Sequence, residues 1–354
     1  MYKYLNTRAQ AISEYVAGEQ PKPREQIIKL NTNESPYPPS PRALLAGKEA
    51  CGENMRLYPP PKFDALREVI ARRHGVSVDN VFCGNGSDEV LGFCFMAFFG
   101  DHPVRYNDIT YAFYKTYAEI FGMQSDVIPL NDDFTVPYQK FFGAKGGVIL
   151  PNPNAPTGIA LPTSAIEEIV QNCPECAVVI DEAYVEFGTQ TAIPLIHKYD
   201  NLLVIRTLSK SQALAGLRVG YAVGSVELIN GLFKIKDCFN SYPLDFTAQA
   251  CAAAALADDA YYTAQNARVV ATRERTKGEL LRLGFQVTDS KTNFVFVRHP
   301  KLDGAEAMQQ LRARNILVRN FRTQRIKDHL RISMGTDAQM DILIQAFEEI
   351  LQKV

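Results

Sequence analysis

Thr207-Leu-Ser-Lys210-Ser-Gln-Ala-Leu-Ala-Gly-Leu-Arg218-Val-Gly-Tyr221 sets one lysine between hydroxyl residues, directly after the apolar run Leu202-Leu-Val-Ile205. An arginine follows in a glycine-bracketed segment. A lysine that attacks an aldehyde must be uncharged part of the time, a state that burial and cationic neighbours favour. The hydroxyls and Arg218 suit a phosphate held beside it. An arbitrary lysine is a solvated surface charge; the surrounding pattern sets this one apart.

Two further constellations lie upstream. Cys176-Ala-Val-Val-Ile180 reads as a short buried strand that ends in Asp181-Glu-Ala-Tyr184. An aspartate at the C-terminal end of such a strand sits where open α/β sheets place ligands, although capping of the next helix is the plainer use of the same residue. Asn80-Val-Phe-Cys83 reads as another strand, followed by the turn Gly84-Asn-Gly86-Ser87-Asp88-Glu89 and the apolar stretch Val90 to Phe99. A glycine turn at a helix start offers free N–H groups and a positive dipole end to a phosphate. Glu89 stands where a dinucleotide loop needs its third glycine, and no G-x-x-x-x-G-K-[ST] occurs, which disfavours a nucleotide site. Lysine, phosphate cradle and strand-end carboxylate together describe a pyridoxal 5′-phosphate (PLP) site, because a carboxylate opposite the pyridine nitrogen keeps it protonated. Tyr184 is placed to donate to the phenolate oxygen.

These three anchors, in this order, resemble the aspartate aminotransferase-like (fold type I) PLP enzymes. Leu30-Asn-Thr-Asn33-Glu34-Ser-Pro36-Tyr37, Arg56-Leu-Tyr58-Pro59 with Leu66-Arg-Glu, Thr110-Tyr111-Ala-Phe-Tyr114, Thr292-Asn293-Phe294, Val318-Arg319 and Leu330-Arg331-Ile-Ser-Met-Gly335-Thr336 narrow the resemblance to the histidinol-phosphate aminotransferases. It extends from about Tyr15 to Gly335. The resemblance implies Lys210 as the covalent lysine and proton shuttle, Asp181 at the pyridine nitrogen and Tyr184 at the phenolate oxygen. It implies Gly86, Ser87, Ser209 and Arg218 around the cofactor phosphate, Asp88, Asn154 and Thr207 as further cofactor-binding residues, and Tyr111 stacked on the ring. Tyr58 would reach the phosphate in a neighbouring subunit, making the unit a homodimer. On the substrate side it implies Asn33, Arg331 for the carboxylate of glutamate, and Arg319 with Tyr15 for a substrate phosphate. The implied reaction exchanges an amino group between L-histidinol phosphate and 2-oxoglutarate. Threonine-phosphate decarboxylases and other amino acid aminotransferases share the same features and stay open, as does a non-enzymatic PLP-sensing domain.

Two positions depart from the family pattern. Asn152-Pro-Asn154-Ala155-Pro156-Thr157-Gly158 carries alanine where the family has a second asparagine that donates to the phenolate oxygen. Either Asn154 reaches inward in its place or Tyr184 carries that bond alone. Asp108-Ile-Thr-Tyr111 lacks a proline common two residues before the tyrosine, a local change.

What must position these residues is an α/β fold. Strand-like runs (81–83, 148–150, 177–180, 202–206, 219–223) alternate with helical patterns such as 162–171, the signature of a mostly parallel sheet with helices on both faces. Thr247 to Ala257 and Tyr261 to Leu283 read as long helices. Strands follow at 284–287, 293–297, 316–319 and 329–333, and a closing helix at 337–353 with apolar Ile342, Ile344, Phe347, Ile350 and Leu351. The expected division is an N-terminal arm with part of a small domain (1–45), a large PLP-binding domain (46–245) and a small α+β C-terminal domain (246–354). A formal net charge of -1 gives no basic surface for nucleic acid or anionic membrane. The apolar stretches are too short to span a bilayer, and the first residues lack the apolar core of a secretory signal. Seven cysteines without clustered short spacings fit reduced thiols in a cytoplasmic protein. The pair Cys173-x-x-Cys176 has no second pair or clustered histidines to complete a metal site.

Overall fold

β-Branched apolar runs become the inner strands of a seven-stranded sheet, in the order 81–85, 219–224, 202–207, 178–181, 148–151, 104–107, 125–128. The computed structural model describes residues 3–12, 18–22 and 26–353. Burial follows the strand period of two. Val178, Ile180, Leu202 and Val204 pack into one core with Val219 and Tyr221, while Val179, Leu203, Ile205 and Ala222 pack into another on the opposite face. Apolar residues on both faces are what a sheet needs when helices cover it from both sides.

Six of the seven strands run the same way. The strand Val219–Gly224 is antiparallel to both neighbours. A parallel return would need a long crossover, usually a helix. The segment Leu208–Arg218 instead folds over the end of the sheet, carrying Lys210, and re-enters from the same edge. Asp181, Thr207, Arg218 and the Asn85–Gly86 turn are thereby gathered at one edge of the sheet, the C-terminal edge of its parallel strands.

A four-stranded antiparallel sheet, in the order 319–320, 330–333, 294–298, 286–287, forms a second layer with its own core around Phe294, Val295, Ile332, Leu343 and Phe347. The run expected as one strand at 316–319 is broken at Val318. Ile316–Leu317 pairs in parallel with Ile28–Lys29, and Arg319–Asn320 joins the four-stranded sheet. The closing helix, Asp337–Leu351, starts on a capping box formed by Thr336 and Gln339. Its buried stripe is Met340, Leu343, Ile344, Phe347 and Ile350; Ile342, expected inside, is exposed, because it lies off that helical stripe. Among the described residues no helix is long and apolar enough to cross a membrane.

Candidate active site

Lys210 sits at the floor of a cavity of about 270 Å³ lined by Ser87, Asp88, Tyr111, Ala155, Asp181, Tyr184, Thr207, Ser209 and Arg218, with Thr32 and Glu34 from the N-terminal segment. Its Nζ donates to the Thr32 carbonyl at 3.2 Å. At one end, the helix Gly86–Phe98 begins beside Arg218, whose guanidinium donates to Asp88 Oδ2 (2.8 Å) and reaches Ser209 Oγ (3.5 Å). This end presents helix N–H groups, hydroxyls and a cation, the donor set of a phosphate site. At the other end, the Asp181 carboxylate is buried, with Oδ1 accepting from Ala183 N (3.2 Å) and Oδ2 from the Tyr114 hydroxyl (2.9 Å). Tyr184 lines the wall, its hydroxyl accepting from Asn33 Nδ2 at 2.9 Å.

A second cavity of about 550 Å³ adjoins the first, sharing Tyr111 and Ala155, and is lined by Arg319 and Arg331. The two arginines are direct partners across antiparallel strands. Like charges placed opposite each other in a sheet repel, and here they set two guanidinium groups side by side on one cavity wall. Arg331 also donates to the Asn31 carbonyl (3.1 Å) and lies over the Phe294 ring, 5.5 Å from its centroid.

The family model for aminotransferase class I and II matches residues 25–347. A histidinol-phosphate aminotransferase of Bordetella parapertussis is 52% identical over 354 residues, covering 99% of each chain. One from Gluconobacter oxydans is 51% identical over 352 residues, again covering 99% of each. The chain belongs to the histidinol-phosphate aminotransferases. A solved structure of such an enzyme from Sinorhizobium meliloti, in complex with PLP, superposes with a TM-score of 0.88 at 26% identity, covering 100% of this chain and 99% of that one. The enzyme is therefore a PLP-dependent transaminase of fold type I. Its cavity fits that cofactor on independent grounds. A Cβ built on Gly86 would lie 2.5 Å from Arg218 Nη2, and one on Gly220 would lie 2.3 Å from Ser87 N, so both glycines hold open a cradle that a side chain would fill.

The electrostatics suit an aldehyde-capturing amine. Burial, with Arg331 close by, lowers Lys210 from 10.5 to about 8. Burial raises Asp181 to about 6, opposed by the Tyr114 hydrogen bond. Next to it in sequence, Glu182 faces the opposite side of the strand, accepting from Arg206 Nη1 (3.2 Å), Thr191 Oγ1 (2.6 Å) and Ala192 N (2.6 Å).

Not every expected residue joins the cavity. Asn154, one of two candidates for the role of the missing asparagine, does not line it. Its Nδ2 donates to the Ile109 carbonyl (3.1 Å) and to Thr157 Oγ1 (2.8 Å), which commits both amide hydrogens locally. Ala155 and Tyr184 both line the cavity. Tyr58 lies away from the cavity, 79% exposed and stacked on Tyr242 at 4.6 Å between centroids. Tyr15 lies outside the described residues. Cys173 and Cys176 donate to the Phe141 and Ala144 carbonyls, remote from the cavity lining. Sequence reading missed Tyr114 and Tyr117. Their only sequence signal is a helical spacing from Tyr111, which core packing explains equally well.

Proposed function

We propose that the enzyme moves the amino group of L-histidinol phosphate to 2-oxoglutarate, giving imidazole acetol phosphate and L-glutamate. The observation that carries the substrate reading is the opposed pair Arg319 and Arg331, which faces the cavity next to Lys210. Both substrates are anions. One cavity with two planar forks can take a phosphate in one half-reaction and a carboxylate in the other. Arg331 would take the carboxylate of glutamate, and Arg319, with Tyr15, the phosphorylated substrate.

Bound PLP supplies an electrophilic aldehyde and a protonated ring that accepts the electron pair of a broken Cα–H bond. Lys210 Nζ, with its pKa lowered to about 8 and so uncharged in a useful fraction near neutral pH, would be the group that accepts and returns the substrate Cα proton. Asp181 would hold the proton on the ring nitrogen, and Tyr184 would donate to the phenolate oxygen. Gly86, Ser87, Ser209 and Arg218 would hold the phosphate, with Asp88 orienting Arg218, and Tyr111 would cover the ring. Together they leave the reacting bond within reach of Lys210.

We place the enzyme in the cytoplasm and assign it as a homodimer. The exposed apolar side chains Met55, Leu57, Tyr58, Phe239 and Tyr242 form the surface a second copy would cover, bringing Tyr58 to the partner's cofactor phosphate. The same proposal divides the chain at 1–45, 46–245 and 246–354. The seven-stranded sheet falls within the second segment and the four-stranded sheet within the third. Lys210→Ala tests the chemistry. Loss of amino transfer by several orders of magnitude, with PLP still held by noncovalent contacts, is expected; turnover near the parent rate refutes the assignment.

A further inference from the structure

Three tyrosines recur every third residue, Tyr111 just ahead of the helix Phe113–Phe121 and Tyr114 and Tyr117 within it. That spacing stacks them on one helical face. Their hydroxyls go to opposite ends of the cofactor cavity. Tyr111 donates to Asp88 Oδ1 (2.7 Å) and Tyr117 to the Asp88 carbonyl (2.8 Å), while Tyr114 donates to Asp181 Oδ2 (2.9 Å). The rings pack against one another and their neighbours: Tyr111 on Tyr114 edge-to-face at 5.8 Å, Tyr117 against Phe95 at 5.5 Å.

We propose that Tyr114 and Tyr117 are positioning residues of the cofactor site, and that this helix is a spacer fixing the Asp181 carboxylate relative to the helix start at Asp88. The inference rests on the PLP reading above and adds to it the residues that hold the two anchors apart. Asp88 is tied to Arg218 on its other oxygen, so Tyr111 and Tyr117 act on the phosphate end through one residue. Asp181 has one protein donor on each oxygen, Ala183 N and Tyr114, which orients the carboxylate and leaves its remaining lone pairs to the cavity.

Tyr114 also biases the charge of Asp181. Burial and the nearby Asp88 favour the protonated acid, whereas Tyr114, Ala183 N and Lys210 favour the carboxylate. Tyr111, just ahead of the helix Phe113–Phe121, Tyr117 within it and Cys94 from the helix Gly86–Phe98 also lie near Asp181, and burial, the largest influence on each, keeps all three protonated. Burial first, then Asp181 itself, holds the Tyr114 phenol well above its ordinary pKa, so the proton stays on the tyrosine and the bond keeps one direction.

The test is PLP titration of the apoprotein across pH for the parent, Tyr114→Phe and Tyr117→Phe, followed by cofactor absorbance. In the parent, affinity falls as Asp181 becomes protonated at low pH. Tyr114→Phe removes a donor to a charged group, so it binds PLP at least about tenfold more weakly near pH 6–7. Because the acid form is no longer opposed by that donor, the pH at which affinity collapses moves upward by about one unit. Tyr117→Phe weakens PLP by a few-fold with the pH profile unmoved, since it acts only on the Asp88 end. A Tyr114→Phe profile that follows the parent's, or an equal shift in Tyr117→Phe, overturns the proposal. If Tyr114→Phe does not fold, 3-fluorotyrosine at position 114 keeps the bond with a more acidic donor and must move the same profile downward; an unmoved profile overturns it. A parent protein that fails to bind PLP at all would refute the cofactor reading instead.

Discussion

Gly86→Ala separates two demands that one glycine meets. Gly86 has φ +78, and its added Cβ would lie 2.5 Å from Arg218 Nη2 and 3.0 Å from Cζ. The left-handed backbone costs an alanine about 1–2 kcal/mol in the folded state. Spread over an unfolding entropy of about 2.1 cal/mol/K per residue, a chain of 354 residues loses only about 1–3 °C in Tm. The clash acts elsewhere. The Arg218 side chain is 44% exposed and can swing outward, so the strain is relieved by moving the guanidinium off the phosphate site. Losing one hydrogen bond to a charged group costs about 1.5–3 kcal/mol, so PLP should bind roughly 10–150-fold more weakly. Thermal melts of the apoprotein and PLP titration by absorbance measure the two effects separately. A variant that melts slightly lower but binds PLP with the parent's affinity would show that Gly86 serves the turn alone. Gly220→Ala sharpens the contrast. Its Cβ would meet backbone atoms, Ser87 N at 2.3 Å and Gly86 C at 2.5 Å, which cannot swing away. There, stability and affinity should fall together.

Arg331→Ala should raise the KM for 2-oxoglutarate far more than the KM for histidinol phosphate, with the reverse in Arg319→Ala; equal effects in steady-state kinetics would refute the division of anions between them. Apoprotein should capture PLP at a rate that rises with pH through about 8 and then levels, because burial lowers Lys210 from 10.5 to about 8 and only the neutral amine attacks. In Arg331→Ala that inflection should move upward, since a cation that disfavours the ammonium is gone; a stopped-flow profile still rising beyond about pH 10 in the parent would contradict the environment described for Lys210. Glu182→Ala leaves Arg206 buried with one of its two carboxylate partners missing, which should cost about 3–5 kcal/mol in urea unfolding. A change below about 1 kcal/mol there would mean the buried network is worth little.

The chemistry of the site was legible in the sequence where residue type and spacing both constrain it. Lys210 between hydroxyls, Asp181 at the end of an apolar β-branched run and the Gly84–Gly86 turn are each local patterns, and the fold gathers them at one sheet edge. What the sequence hides are contacts between distant elements. The Tyr114–Asp181 bond joins the start of a helix to the end of a strand, and tyrosines at helical spacing read as core. The Arg319–Arg331 pairing depends on a break at Val318 that a run of apolar residues conceals. The strands Val104–Asn107 and Ser125–Ile128 escaped notice because Arg105 and Asp126 interrupt their apolar pattern, and these two charges pair across the edge (2.6 Å). Asn154 shows the limit of motif reading: an asparagine next to the expected position is present, yet its amide is spent on Ile109 and Thr157.

The central claim is tested most directly by mixing PLP-loaded enzyme with L-histidinol phosphate and 2-oxoglutarate and measuring glutamate. The account predicts one glutamate for each histidinol phosphate consumed, and, when 2-oxoglutarate is withheld, consumption that stops at one equivalent per active site. Release of carbon dioxide from threonine phosphate, or glutamate formed only from an unphosphorylated amino acid, would contradict it.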